Sequence, residues 1–201
     1  MEFLFNSQLL DLKRLLPWEQ AKRKKKAMRG ILEQKRRVLT EEQVATYSAQ
    51  IIEQIEQMHS FREANTVMVY YPIHKEVDLM PLVRKYCHEK TFIFPVTHRS
   101  SIELRPLDTE ENMKRGKFGV PEPQTPTWED SVDLILVPGV AFDYKMHRIG
   151  RGGGYYDRFL RSQHHTTKIG VAYDFQLKKK TIPHNWLDVR VDRVVTPTQT
   201  V

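Results

Sequence analysis

Apolar residues near the start of the chain recur at helical spacing. Lys22–Arg37 is a heavily charged segment that reads as a first helix. Glu41–Met58 reads as a second, with Ile51, Ile52, Ile55 and Met58 forming an apolar stripe. Between them lies Leu39-Thr40-Glu41-Glu42-Gln43, where Thr40 supplies a cap oxygen and Gln43 completes a capping box. The period then shortens. Thr66–Tyr71 is β-branched and aromatic, Asp78–His88 is helical, Thr91–Val96 is a second strand, and Ile102–Leu107 is a third strand that pairs with it as a hairpin. Val132–Val137 is continuously apolar, as in a strand buried on both faces. A helix follows from about Gly154 to Ser162, then strands at Lys168–Ala172 and Arg193–Thr196. Strands alternating with helices predict a layered α/β fold around a mostly parallel sheet, with ligands beyond the carboxyl ends of its strands. Arg115–Pro123 and Pro138–Gly154 read as functional loops on that scaffold.

Composition narrows this picture. A chain of 201 residues with 40% hydrophobic and 28% charged positions builds one compact domain with a real core. The single cysteine, Cys87, forms no internal disulfide and reads as an ordinary thiol. Met1–Gln20 lacks the charge order and cleavage site of a secretory signal, and no segment approaches the ~20 apolar residues of a membrane span. The expectation is a cytoplasmic protein without membrane attachment. Residues 1–20 read as an N-terminal extension and residues 21–201 as a single domain. The net charge of +7 favours acidic partners without choosing among them.

The most informative stretch is Asp133–Phe159, a buried strand running into a loop that carries Arg148, Gly150, Arg151, Gly152, Gly153 and Gly154. Consecutive glycines allow positive φ angles and close approach of the backbone to a ligand. Their amides, with the following helix N-terminus, suit an anion, and two arginines add forked donors. The spacing is neither that of a Walker loop nor that of a dinucleotide fingerprint. On the residues alone the loop is either a phosphate cradle or a structural glycine turn. Asp157 is either a magnesium ligand or a favourable charge in a first helical turn. Lys22, Lys25, Lys26 and Arg29 share a helix face at i, i+3, i+4 and i+7, either solvated or facing a polyphosphate. His147 is either a phosphate contact or simply an exposed loop residue, and Glu76 on the residues alone reads as a surface acid in a turn.

PGVAFD (138–143) followed by RIGRGGGYYDRF (148–159) resembles the signature of the 5-formyltetrahydrofolate cyclo-ligases. KKAMR (25–29), Glu76-Val77-Asp78, FGVPEP (118–123) and DVRVDRVVT (188–196) resemble further pieces of that family in the same order, from about Lys22 to Thr196. The resemblance implies a three-layer α/β sandwich and the conversion of 5-formyltetrahydrofolate and ATP to 5,10-methenyltetrahydrofolate, ADP and phosphate. It also implies roles. Lys25, Lys26 and Arg29 match a nucleotide-binding segment. Arg148, Ile149, Gly150, Arg151, Gly152, Gly153, Gly154, Tyr155 and Tyr156 match the loop that wraps the ATP phosphates. Asp157 and Asp188 match magnesium-linked acids. Tyr71, Glu76, Phe118 and Tyr155 match positions that touch the folate, with Phe118 able to stack on the pterin. Gly153 stands where some relatives have lysine.

Phosphoryl transfer needs positioning and charge neutralisation more than an enzyme nucleophile. That assigns the catalytic role to Arg148 and Arg151 and agrees with a chain lacking Ser-His-Asp and Cys-His patterns. A basic nucleic-acid module would use the charge but gives no reason for the glycine loop; the expectation is a monomer that does not bind nucleic acid. A sugar-phosphate isomerase or coenzyme A transferase relative would use the loop for a phosphorylated substrate instead. Lys114, Arg115 and Lys117 flank Phe118 and would attract the glutamate tails of folate polyglutamates. Raising ionic strength is therefore expected to weaken polyglutamate binding more than monoglutamate binding, measured as Kd across a salt series; equal salt sensitivity would remove the role of these three residues.

Overall fold

The computed structural model describes residues 17–98, 100–116 and 119–201. Helix α1 (Pro17–Arg37) leads into α2 (Glu41–Gln57) and the short α3 (His59–Glu63). Strands β1 (Thr66–Met68), β2 (Thr91–His98) and β3 (Ser101–Pro106) follow, with α4 (Met80–Tyr86) between the first two. After the small ladder of β4 (Met113–Arg115) and β5 (Pro121–Pro123) come β6 (Leu134–Pro138), β7 (Ala141–Asp143) and β8 (Arg148–Ile149). Helix α5 (Tyr155–Leu160) is followed by β9 (Thr167–Val171), β10 (Leu177–Lys178) and β11 (Arg193–Val195).

The capping box forms as expected: Gln43 N donates to Thr40 Oγ1 and Thr40 N donates to Gln43 Oε1. α1 is continuous upstream of Lys22, across the expected boundary at residue 20. The predicted strand at 66–71 pairs only as far as Met68, because the chain then turns into the cleft described below. The two segments read as loops also carry short strands, β4 and β5 in one and β7 and β8 in the other. None of these ladders is longer than three residues, too short for a period to be visible in the sequence.

The main sheet has six strands in the order β11-β9-β6-β1-β2-β3, all parallel except the β2–β3 hairpin. Apolar side chains alternate across it. Val67, Phe92, Phe94, Leu134, Leu136 and Ile169 join the core beneath α2 and α4. Met68, Ile93, Ile135, Val137 and Val194 join a second core with Leu160 of α5. Both faces are therefore buried, which accounts for the unbroken apolar run of β6. The architecture is a mixed α/β fold with a mostly parallel six-stranded sheet.

β7, β8 and β10 form a separate three-stranded sheet, on which α1 packs through Met28 and Leu32 against Val140, Ala141 and Ile149. Phe142 of β7 is fully buried, and its ring lies where a Cβ on Gly139 or on Gly170 of β9 would stand. These glycines set the packing distance between the two sheets. Gly170→Ala is expected to destabilise the protein by about 1–3 kcal/mol through overpacking, seen as a lower urea midpoint with an unchanged m-value.

Candidate functional site

The strand order reverses beside β1. From β1 the chain proceeds outward to β2 and β3; it then returns to the other side of β1 as β6 and proceeds outward to β9 and β11. A crevice opens where the connections after β1 and β6 part, the usual ligand position in an open parallel sheet. Here it is a cleft of about 1620 Å³. The segment after β1 contributes Tyr70, Tyr71 and Glu76, and the segment after β6 contributes Gly139 and 148–158. α1 supplies a third wall through Lys22, Lys25 and Arg29, and residues 184–188 a fourth.

α1 is held against the glycine loop by polar as well as apolar contacts. Arg29 Nε donates to Gly150 O at 2.7 Å. Gly152 has φ +109° and Gly154 has φ +70°, values that side-chain-bearing residues rarely take, so these two positions require glycine. Gly154 ends the loop as the residue before α5. Arg148 is buried; its Nη2 donates to Asp157 Oδ1 at 2.8 Å and its guanidinium lies over the Tyr156 ring. Arg151 reaches across the cleft, donating through Nη2 to Glu76 Oε1 at 2.7 Å. Lys25, also buried, pairs with Asp188. Burial pushes the Tyr156 hydroxyl well above its ordinary range, with the Glu76 charge adding to the effect.

The expected residues divide as follows. Lys25, Arg29, Tyr71, Glu76, Asp188 and every residue from Arg148 to Asp157 line this one cleft. Lys26 does not: it is exposed and turned about 100° around the helix from Lys25, so the shared face runs through Lys22, Lys25 and Arg29 without it. Phe118 and Lys117 lie outside the described residues. Glu76 is not a surface acid; it is buried and bonded to Arg36 as well as Arg151. Asp192, the other nearby acid of the 188–196 motif, does not line the cleft and instead accepts the amide of Lys168 at 2.7 Å. Arg36, Trp18 and Trp186 had no sequence signal. Arg36 sits at the end of the Lys25–Arg29–Leu32 stripe, and both tryptophans line the cleft, with Trp186 88% exposed.

His147 is also corrected. It is buried, its Nδ1 lies 3.0 Å from Asp143 Oδ2, and its ring stacks on His184 at 3.8 Å between centroids. Asp143 accepts the amides of Lys145, His147 and Ile182 at 2.9, 3.0 and 2.9 Å. It thereby closes the turn before Arg148 and anchors the segment leading to Asp188. Burial alone would raise the Asp143 pKa, but the Ile182 and His147 bonds outweigh it and hold the carboxyl below its usual range.

Asp157 and Asp188 suit a divalent cation shared with phosphate, since magnesium takes one or two carboxylates and fills its shell with water and phosphate oxygens. Among the described residues no cluster of three or more His, Cys, Asp or Glu forms an all-protein metal site. Asp157 Oδ1 accepts the amide of Val189 at 3.2 Å, which joins the two acids' segments. No helix among the described residues is long and apolar enough to cross a membrane.

Residues 21–197 match the family model described as the 5-formyltetrahydrofolate cyclo-ligase family. A 5-formyltetrahydrofolate cyclo-ligase of Escherichia coli (strain K12) is 30% identical over 179 residues, covering 84% of this chain and 98% of its own length. A probable 5-formyltetrahydrofolate cyclo-ligase of Schizosaccharomyces pombe is 28% identical, covering 89% and 97%. The solved structure of Aquifex aeolicus 5,10-methenyltetrahydrofolate synthetase superposes with a TM-score of 0.80 at 35% identity, covering 88% of this chain and 91% of that one.

Because the Asp143 pKa is depressed on folding, its contribution to stability is present above the unfolded value of about 3.9 and lost as pH falls through the folded value. Asp143→Asn is expected to cost about 1.5–3 kcal/mol near neutral pH, from weakened charge-assisted bonds. In denaturation series the gap from wild type should be constant above about pH 5 and narrow below about pH 4.

Proposed function

The chain belongs to the 5-formyltetrahydrofolate cyclo-ligase family, and from that premise we propose that it converts 5-formyltetrahydrofolate and ATP to 5,10-methenyltetrahydrofolate, ADP and phosphate. The observation that carries this reading is the convergence of the glycine loop, Arg148, Arg151, Glu76, Asp157 and Asp188 on one cleft at the switch point of the sheet. The phosphates lie along Arg148–Tyr156, flanked by Lys25 and Arg29. Tyr71, Glu76 and Tyr155 line the folate side, where Glu76 accepts hydrogen bonds from the polar edge of the pterin. Phe118 stacks on the ring. Asp157 and Asp188 would hold magnesium, which when bound would supply neutralising charge to the phosphates.

The γ-phosphoryl group transfers to the formyl oxygen as its bond to the β,γ-bridging oxygen breaks and ADP leaves, converting a poor leaving group into a phosphate ester. N10 of the same folate then bonds to the formyl carbon and its proton passes to solvent. The carbon–oxygen bond breaks, and phosphate departs with that oxygen. Arg148 is already held rigid by burial and by Asp157, so it meets the moving phosphoryl group with little reorganisation. Arg151 is more exposed and exchanges Glu76 for phosphate. The reading extends to a monomeric, cytoplasmic enzyme acting on folate polyglutamates without nucleic acid or a membrane. It also includes a three-layer sandwich with its single domain at residues 21–201 and an extension at 1–20.

Methenyl product, followed by its absorbance, is expected only when ATP, magnesium and 5-formyltetrahydrofolate are all present. Arg151→Ala should lower kcat about 10²–10³-fold, the usual effect of removing one preorganised charge-stabilising donor. Absence of product from a folded protein that binds ADP would replace folate with another ATP-dependent substrate.

A further inference from the structure

Glu76 lies between two arginines of opposite character. Arg36, on α1, has a side chain 4% exposed, and its Nη1 is 3.4 Å from Glu76 Oε1. Arg151, in the glycine loop, has a side chain 40% exposed and approaches the same oxygen from the cleft at 2.7 Å through Nη2 and 3.2 Å through Nε. The other oxygen of Glu76 accepts the amide of Ile73 at 3.3 Å. The turn bearing Glu76 is pinned to the end of α1, since Lys75 Nζ donates to the carbonyls of Leu39 and Arg37. His74 and Lys75 both have left-handed backbone, φ 52° and 58°, so the turn is held in a conformation that it would not choose by itself.

A carboxylate this buried needs a permanent countercharge. Arg151 cannot be that group if it also binds phosphate. Arg36 is not explained by stability: buried ion pairs often contribute less than an apolar replacement would, and its Nε is buried without a hydrogen-bond partner among the described residues. We propose that Arg36 is a positioning residue, the resident counter-ion that stays on the Glu76 carboxylate and keeps it aimed into the cleft when Arg151 moves from Glu76 to a phosphate oxygen, and that nucleotide and folate consequently bind with positive coupling. This rests on the assignment of Arg151 to phosphate and of Glu76 to the pterin given above. Either ligand must break the Glu76–Arg151 contact. Whichever binds first breaks it, and the second finds its partner already released; by linkage the effect is the same in both directions.

The test is calorimetric titration of 5-formyltetrahydrofolate in the presence and absence of magnesium and a non-hydrolysable ATP analogue. In the wild type the analogue is expected to tighten folate binding about fivefold or more. Arg36→Gln should weaken folate binding about tenfold or more and should weaken the analogue's binding too, because Arg151 must then leave Glu76 without a counter-ion; in a Glu76→Gln background, where no carboxylate needs one, Arg36→Gln should change the analogue's Kd less than about threefold. Arg36→Lys, which keeps the charge but not the forked geometry, should recover part of that loss and carries the test if the glutamine variant does not fold. The proposal is overturned if the analogue leaves wild-type folate affinity unchanged, if both variants bind folate as the wild type does, or if Arg36→Gln weakens the analogue as much in the Glu76→Gln background as in the wild type, as a purely structural residue would. Wild-type protein that binds the analogue but no 5-formyltetrahydrofolate overturns the functional reading itself, a result distinct from loss of coupling.

Discussion

The reversal of strand order beside β1 is the constraint from which the site follows. β1 and β6 are hydrogen-bonded parallel neighbours, yet the chain leaves them toward opposite edges of the sheet. Two connections that part at adjacent strand ends cannot cover the gap between them. One carries Glu76 and the other the glycine loop, so their side chains face each other across a cleft. The continuously apolar β6 is buried on both faces and anchors this edge, and Phe142, seated in the space left by Gly139 and Gly170, holds the smaller sheet against it.

Charge then organises what the sheet leaves open. Arg148 pairs with Asp157, Arg151 with Glu76 and Lys25 with Asp188, so cations from α1 and the glycine loop neutralise the acids that border the cleft. Such pairs add little net stability, because desolvation offsets much of the attraction. Their value is geometric. Each fixes a side chain that would otherwise sample many rotamers, and the Lys25–Asp188 and Arg151–Glu76 pairs also join segments distant in the chain. The buried Asp143 extends the same logic by accepting three backbone amides, tying the turn before β8 to the segment that carries Asp188.

The PGVAFD stretch therefore has structural work distinct from that of the glycine loop. Gly139 makes room for a ring, Phe142 spaces two sheets, and Asp143 closes a turn; none needs to touch a ligand for the loop behind it to be held in place. α1 shows the complementary case. Its polar residues Lys25, Arg29 and Arg36 lie inward on the same stripe as Leu32, so the helix docks through charge and apolar packing together.

Local rules account for much of this. The capping box at Thr40, the stripe of Ile51, Ile52 and Ile55, the β2–β3 hairpin and the buried β6 all depend on neighbours a few residues apart, and each was legible in the sequence. The glycine loop was legible too, because consecutive glycines with two arginines form a chemical pattern before they form a shape. What the sequence left open depended on distance in the chain. Glu76 looks like a turn acid until α1 and the glycine loop bring two arginines to it, 40 and 75 residues away. Lys26 and Lys25 are equivalent as letters, and the docking of α1 alone turns one inward and the other to solvent. His147 was indistinguishable from a loop histidine until Asp143 and His184 enclosed it. The sequence by itself determined the elements and the chemistry available; only the tertiary structure decided which charges meet, because burial and ion pairing are set by packing and not by spacing along the chain.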